Sequence, residues 1–260
     1  MNMRVTLLRL HWFLSAQCGI DLIKMLRSIR GVPRYIRDLI RIKKAYTGRL
    51  ELVPCLFDWY EEGGATRNEY FWQDLIVAKK IFAANPEKHI DIGSRVDGFV
   101  AHVASFREIE IFDIRSITTK IPGVTFKQAD LMNPKEGIVD YCDSISCLHA
   151  LEHFGLGRYG DPLDLQGYEH GIRNMARILR SGGVFYLSVP VGVERIEFNA
   201  QRVFNPKTII ESAEKNQLML REFALFTHED GLVEMGLTSE ILDRVGSKRY
   251  GLGIFTLIKK

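Results

Sequence analysis

Apolar residues recur along this chain at two spacings, and the change between them divides it. Over residues 1–50 the spacing is helical: Leu22, Ile23, Met25, Leu26 and Ile29 form one apolar face, and Ile36, Leu39, Ile40 and Ile42 another after Pro33. Residues 51–68 are rich in Glu, Gly and Thr and read as a linker loop. The helical period returns over 69–85 and stops at Asn85-Pro86. From there short apolar runs alternate with amphipathic stretches. Strands are expected at 89–91, 108–113, 124–128, 143–148 and 183–189, and helices at 98–106, 168–180 and 206–216. Two consecutive strands, around 218–226 and 252–259, close the chain. Alternation of this kind predicts an α/β domain over 69–260, with a mostly parallel seven-stranded sheet between helical layers. With no long helix before it, the last strand is placed to insert antiparallel. The helix at 168–180 is expected to end at Ser181-Gly182-Gly183, glycine supplying a left-handed cap.

Charge sharpens the division. Residues 1–50 carry 11 Lys/Arg against 2 Asp, whereas the other 210 residues carry 24 basic against 30 acidic, although the whole chain is only +3. Arg27, Arg30, Arg34, Arg37, Arg41, Lys43 and Lys44 fill the polar sides of the N-terminal arm. A basic amphipathic arm suits an anionic membrane surface or a partner protein. Nucleic acid is disfavoured, because the body is acidic and has no aromatic-basic recognition motif. Arg4, Arg9 and His11 interrupt the first apolar patch, which reads neither as a cleavable signal nor as a span of the roughly 18 residues a bilayer needs. Cys18, Cys55, Cys142 and Cys147 form no CxxC pair and read as reduced thiols of a cytoplasmic protein, peripheral at the inner membrane face if the arm docks there.

The candidate chemistry begins at Asp91-Ile-Gly-Ser-Arg-Val-Asp-Gly98. A short apolar strand leads in, a helix leads out, and Asp113 closes the next strand 22 positions after Asp91. Glycine lets the backbone approach a ligand, the helix N-terminus offers free N–H groups, and a carboxylate at that distance suits a ribose. Arg95 stands where a second glycine is usual, and Arg95 with Asp97 also reads as a structural ion pair. Farther on, His149-Ala-Leu-Glu-His153 spells HxxEH, which on a continuous helix would bind zinc with Glu152 as base. Here the first His ends an apolar strand and glycines at 155, 157 and 160 follow. Helical spacing is therefore expected to fail, and no metal is expected.

The run from Asp143 through Leu151-Glu-His153, with Asn174–Gly183 and Val184–Pro190 after it, resembles class I S-adenosylmethionine-dependent methyltransferases over roughly residues 70–260. A closer likeness is carried by His89–Ser105, His149–Asp161 and Arg195–Phe204, which resemble the family catalogued as domain of unknown function 268. That family is similar to methyltransferases and occurs among bacterial surface-glycan genes. The resemblance implies S-adenosylmethionine as cofactor. Asp91, Gly93 and Ser94 would form the first cofactor turn, Asp113 the ribose carboxylate, and Asp130 with Leu131 the adenine edge; Leu148 and His149 would end the fourth strand beside it. His153 is the first choice for a base, since imidazole titrates near neutrality, with Glu152 and His149 as rivals. The glycine-rich loop after His153 brings Arg158 and Asp161 to the expected acceptor mouth, and Arg195, Glu197 and Asn199 follow the fifth strand toward it. The expected function is methyl transfer to a sugar or surface-glycan intermediate; the alternative is an inactive module of the same fold that scaffolds glycan enzymes.

Overall fold

The computed structural model describes residues 3–64, 66–134 and 138–260, with the side chains of residues 3–5 and 9 excepted. Arg4 and Arg9 of the arm, and Ala65 of the expected linker, therefore lie outside the described side chains and residues. The chain divides into two compact units, Met1–Ala65 and Thr66–Lys260.

The first unit holds α1 (Met3–Cys18) and α2 (Leu22–Ala45). Gly19, at φ +71°, breaks the helical path, and Asp21 restarts it by accepting from the N–H groups of Ile23 and Lys24, both at 3.0 Å. Pro33 does not end α2, so the two apolar faces read from the sequence belong to one helix. The segment read as a linker folds back along α2. Arg34 stacks on Trp59 at 3.4 Å and Lys24 lies 5.1 Å from the Phe57 ring. Gly31 is buried against the Leu56 backbone, whose carbonyl a Cβ there would strike.

The second unit is an eight-stranded sheet with helices on both faces. Its elements are α3 (Glu69–Ala84), β1 (His89–Ile92), α4 (Ala101–Ala104, entered through a π-turn at Val96–Val100), β2 (Ile109–Asp113), β3 (Val124–Gln128) and β4 (Cys142–Leu148). There follow α5 (Gly167–Ile178), β5 (Leu179–Val191), a small hairpin of β6 (Arg195–Glu197) and β7 (Gln201–Val203), α6 (Pro206–Lys215), β8 (Leu218–Thr227), β9 (Gly231–Met235), α7 (Ser239–Ser247) and β10 (Gly251–Lys259). The sheet order is β3-β2-β1-β4-β5-β10-β8-β9. β1 to β5 are parallel, and β10 runs antiparallel between β5 and β8. Side chains alternate across the sheet with period two. On β2, Ile109 and Ile111 join Val77, Ile81 and Phe99 under α3 and α4, while Phe112 joins Ile90, Ile92 and Met175 on the α5 face.

The antiparallel insertion and the α/β order are as expected, but the count and some boundaries are not. An eighth strand, β9, pairs antiparallel with β8, and α7 separates the last two strands. Helix α5 stops at Ile178, and Gly182 at φ +79° lies within β5, where the pairing with β4 shifts register; it is not a helix cap. Space around Gly182 is open. Gly182→Ala is therefore expected to cost only the left-handed backbone, about 1–2 kcal/mol in thermal unfolding.

Candidate active site

The strands β1 to β4 end on one edge of the sheet, and the residue just beyond each end decides what the edge offers. Gly93 follows β1, Asp113 ends β2, Asp130 follows β3 and His149 follows β4, and all four line one cleft. The carboxyl edge of a parallel sheet is where a small-molecule site is expected. Gly93 has φ +68°, and its N–H donates to the Phe112 carbonyl at 2.9 Å, so the first strand turns away and leaves its backbone on the cleft wall.

Asp91 and Ser94 build this turn without lining it. Asp91 is fully buried and accepts from the Ser94 N–H at 3.0 Å and from the Ser94 and Ser146 hydroxyls at 2.6 Å each. The Ser94 oxygen in turn accepts from the Leu148 N–H at 3.1 Å. Since Ser146 spends its proton on Asp91, it accepts from His89 Nε2 at 3.1 Å, and His89 Nδ1 accepts from Ser144 at 2.8 Å. Burial pushes Asp91 up to about 6 and His89 down to about 3. Asp91, Ser94 and Leu148 thus tie β1 to β4 behind the cleft and, unlike Gly93, do not line it.

Asp113 does face the cleft, but not freely. Its Oδ1 accepts from Arg115 N–H at 2.8 Å and Arg115 Nε at 3.1 Å, and its Oδ2 from Arg115 Nη2 at 2.8 Å. The Arg115 guanidinium also lies 4.4 Å from the Tyr159 ring, so the clasp reaches the glycine-rich loop. Two donors fill Oδ1 and one approaches Oδ2, which keeps accepting capacity. Asp130 spends Oδ1 on the Met132 N–H at 2.9 Å, beside the apolar Phe112, Ile114, Ala129 and Leu131. Arg95, half exposed, pairs with Asp97 at 2.7 Å and lies 5.2 Å from Tyr70 at the mouth.

The loop after β4 is fixed by its own chemistry. Asp161 Oδ2 accepts from Gly155 N–H at 2.8 Å and Gly157 N–H at 3.1 Å, and Oδ1 from Tyr159 N–H at 3.1 Å. Asp161 borders the cleft with both oxygens engaged, so its role is to hold the loop. Arg158 borders it too and donates to the Ala200 carbonyl at 2.9 Å. The β6–β7 hairpin brings that carbonyl to the site but not the residues expected from it. Arg195 turns to Glu197 at 2.9 Å and to the Arg249 carbonyl at 2.8 Å, and Arg195, Glu197 and Asn199 do not line the cleft.

His153 lines the cleft with its tautomer set by a neighbour. Its Nδ1 lies 2.7 Å from the Ala200 carbonyl, which can only accept, so Nδ1 carries the proton and Nε2 the free lone pair. Burial, with Arg158 nearby, holds its pKa below the usual imidazole value against the pull of Glu152.

His149 sits in a different setting. It has φ +53°, a strained backbone for a non-glycine residue, and stacks on Tyr70 with centroids 4.6 Å apart. Its Nδ1 is 2.6 Å from Glu152 and its Nε2 3.2 Å from Glu69, whose same oxygen accepts from the Tyr250 hydroxyl at 2.9 Å. Burial opposes its charge, but Glu152 and Glu69 outweigh burial and raise its pKa to about 10. Burial likewise opposes the charge of Glu152, and the two imidazoles outweigh it and hold its pKa below the ordinary glutamate value. Glu152 is fully buried and does not line the cleft. Since a 3₁₀ turn, Leu151–His153, follows β4, the two imidazoles share no helical face; they flank Glu152 Oε1 at 2.6 and 3.6 Å. Tyr70, Arg115, Tyr159, Glu69 and Tyr250 had no role in the sequence reading. Only Arg115 left a local trace there, two residues after the strand-ending Asp113.

Residues 108–214 match the family described as Caenorhabditis protein of unknown function, DUF268. No curated protein matches the chain. Among solved structures it is similar to the [4+2]-cyclase SpnF, at 14% identity and a TM-score of 0.53 over 76% of this chain and 85% of that one. It is also similar to the Burkholderia thailandensis 1,6-didemethyltoxoflavin-N1-methyltransferase, solved with its substrate and S-adenosylhomocysteine, at 12% identity and a TM-score of 0.50 over 78% and 81%. A third is the Bacillus subtilis YcgJ protein, at 13% identity and a TM-score of 0.50 over 73% and 98%. At such identities the likeness is one of fold. The chain is thus a protein of the class I methyltransferase fold whose residues 108–214 match the DUF268 domain.

Proposed function

We propose that this protein is an S-adenosylmethionine-dependent methyltransferase acting on a hydroxyl of a sugar or surface-glycan intermediate. The observation that carries the reading is that Gly93, Asp113, Asp130 and His153 line one cleft at the carboxyl edge of the sheet. The residues present suit the cofactor. The Gly93 turn leaves backbone open to the methionine portion, Asp113 Oδ2 can accept from a ribose hydroxyl, and Asp130 with Leu131 and Ile114 offers a polar edge on an apolar slot for adenine. Bound there, S-adenosylmethionine supplies a methyl group on an activated sulfonium.

The chain's own residues then have two tasks, to place the acceptor and to remove its proton. His153 Nε2 takes that proton, and the imidazolium so formed has Glu152 Oε1 at 3.6 Å as counter-charge. Arg158, Arg115 and Tyr159 present cationic and aromatic groups to the same space, which suits a sugar carrying an anionic group. A second reading, an inactive module that scaffolds glycan enzymes, draws on the Arg115 clasp over Asp113 and on Arg95 in a glycine's usual place.

Asp113→Ala is expected to weaken S-adenosylmethionine binding by about 1.5–3 kcal/mol in calorimetric titration, the range for a hydrogen bond to a charged group. Unchanged affinity would remove Asp113 from the ribose site.

A further inference from the structure

We propose that α1 and α2 form a docking device for an anionic phospholipid surface. Nothing in this inference depends on the chemistry of the cleft.

On α2 the residues Leu22, Met25, Leu26, Ile29, Ile36 and Ile40 fall on one side of the helix at its 3.6-residue period and form one stripe. The stripe is open, with Leu26 68% and Ile29 67% exposed. The opposite side is taken, since Gly31 packs against Leu56 and Arg34 against Trp59. On α1, Leu7, Leu8, Leu10, Trp12 and Phe13 are all more than half exposed. Large apolar side chains in such number mark a surface that something covers.

The charges name the occupant. The two acids of this stretch are spent, Asp21 as the α2 cap and Asp38 on Arg34 and Arg37. Arg41, Lys43 and Lys44 have no acidic partner among the described residues, and Lys44 flanks the stripe. Helix α2 has 24 residues, so stripe and cations extend together for about 36 Å. An anionic bilayer accepts both at once: the stripe enters the acyl boundary while the long cationic side chains reach phosphate. Trp12 suits the same interface. No described helix is long and apolar enough to cross a membrane, so the device lies on the surface.

The test is co-sedimentation of the full chain with vesicles of phosphatidylcholine alone or of phosphatidylcholine and phosphatidylglycerol in equal parts. Binding is expected to the anionic vesicles only and to fall with added salt. The triple variant R41Q/K43Q/K44Q should bind on the order of a hundredfold more weakly, since each cation near the surface is worth about 1 kcal/mol. Leu26→Glu with Ile29→Glu should abolish binding while keeping the wild-type unfolding temperature, because both sites are exposed. Equal binding to neutral vesicles, no binding to either kind, or variants that bind as wild type would overturn the proposal. So would the Leu26→Glu, Ile29→Glu pair converting a dimer to a monomer without any vesicle binding, which would assign the stripe to a second copy of the chain.

Discussion

His153→Ala is expected to lower turnover by about 10²–10⁴-fold, the usual share of a positioned general base, while leaving S-adenosylmethionine affinity almost unchanged. The split follows from the geometry. His153 stands on the loop side of the cleft, bonded through Nδ1 to the Ala200 carbonyl, whereas Gly93, Asp113 and Asp130 stand at the ends of β1, β2 and β3. The wild-type rate should also hold to lower pH than an ordinary imidazole allows. Burial depresses the His153 pKa, so the base form persists below about 6.5 before protonation removes it. Turnover can be followed with methyl-labelled S-adenosylmethionine against a panel of anionic sugars. Full turnover by the variant, or a fall in cofactor affinity equal to the fall in rate, would move the base to another residue.

The second large effect is on stability. His149→Ala is expected to cost about 3–5 kcal/mol in denaturant unfolding of the full chain, the range for removing one partner of a buried ion pair. It leaves the fully buried Glu152 without its main counter-charge and takes a cation from Glu69. The cluster is already under-satisfied, since Glu69 Oε2 and Glu152 Oε2 have no hydrogen-bond partner among the described residues, and His149 Nε2 meets Glu69 Oε1 at 3.2 Å as a charge contact. The pH dependence has a definite sign. His149 is raised to about 10, so the folded protein keeps a proton that the unfolded chain sheds above about 6.5. Its contribution is complete below about 6.5 and is lost as pH rises through about 10. Wild type should therefore lose stability across that window and the variant should lose less. His89, depressed to about 3, acts at the other end: its buried neutral ring costs stability as pH falls from about 6.5 toward 3. A cost under about 1 kcal/mol for His149→Ala would show that His149 is not the charge that holds this cluster.

The strands that frame the site were legible because each is a short apolar run closed by a polar residue at the cleft, Asp113 and His149 among them. Their partners were less so. Asp91 has the residue type of a cofactor ligand, but Ser144 and Ser146, two polar residues two positions apart on a buried strand, were the signal that it points into a buried network instead. The β8–β9 hairpin also had a signal, Asp230-Gly231 between alternating apolar residues, which the two-strand ending passed over. Gly182 shows the limit of local reading, since a helix cap and a strand irregularity both call for positive φ. No local signal could have found Tyr250 beside Glu69, because 181 positions separate them and only the β10 insertion brings them together. The Arg195–Glu197 pair lies apart from the cleft for a related reason: Arg195 turns to the Arg249 carbonyl, while the same hairpin meets the cleft residues His153 and Arg158 through the carbonyl of Ala200.

Binding of S-adenosylmethionine in the cleft at the ends of β1 to β4, with Asp113 Oδ2 accepting from the ribose, is what all of this turns on. Isothermal titration of the wild-type full chain with S-adenosylmethionine tests it most directly. Saturable one-to-one binding that weakens in Asp113→Ala is expected; no heat of binding at millimolar ligand would contradict it and leave the fold as a scaffold.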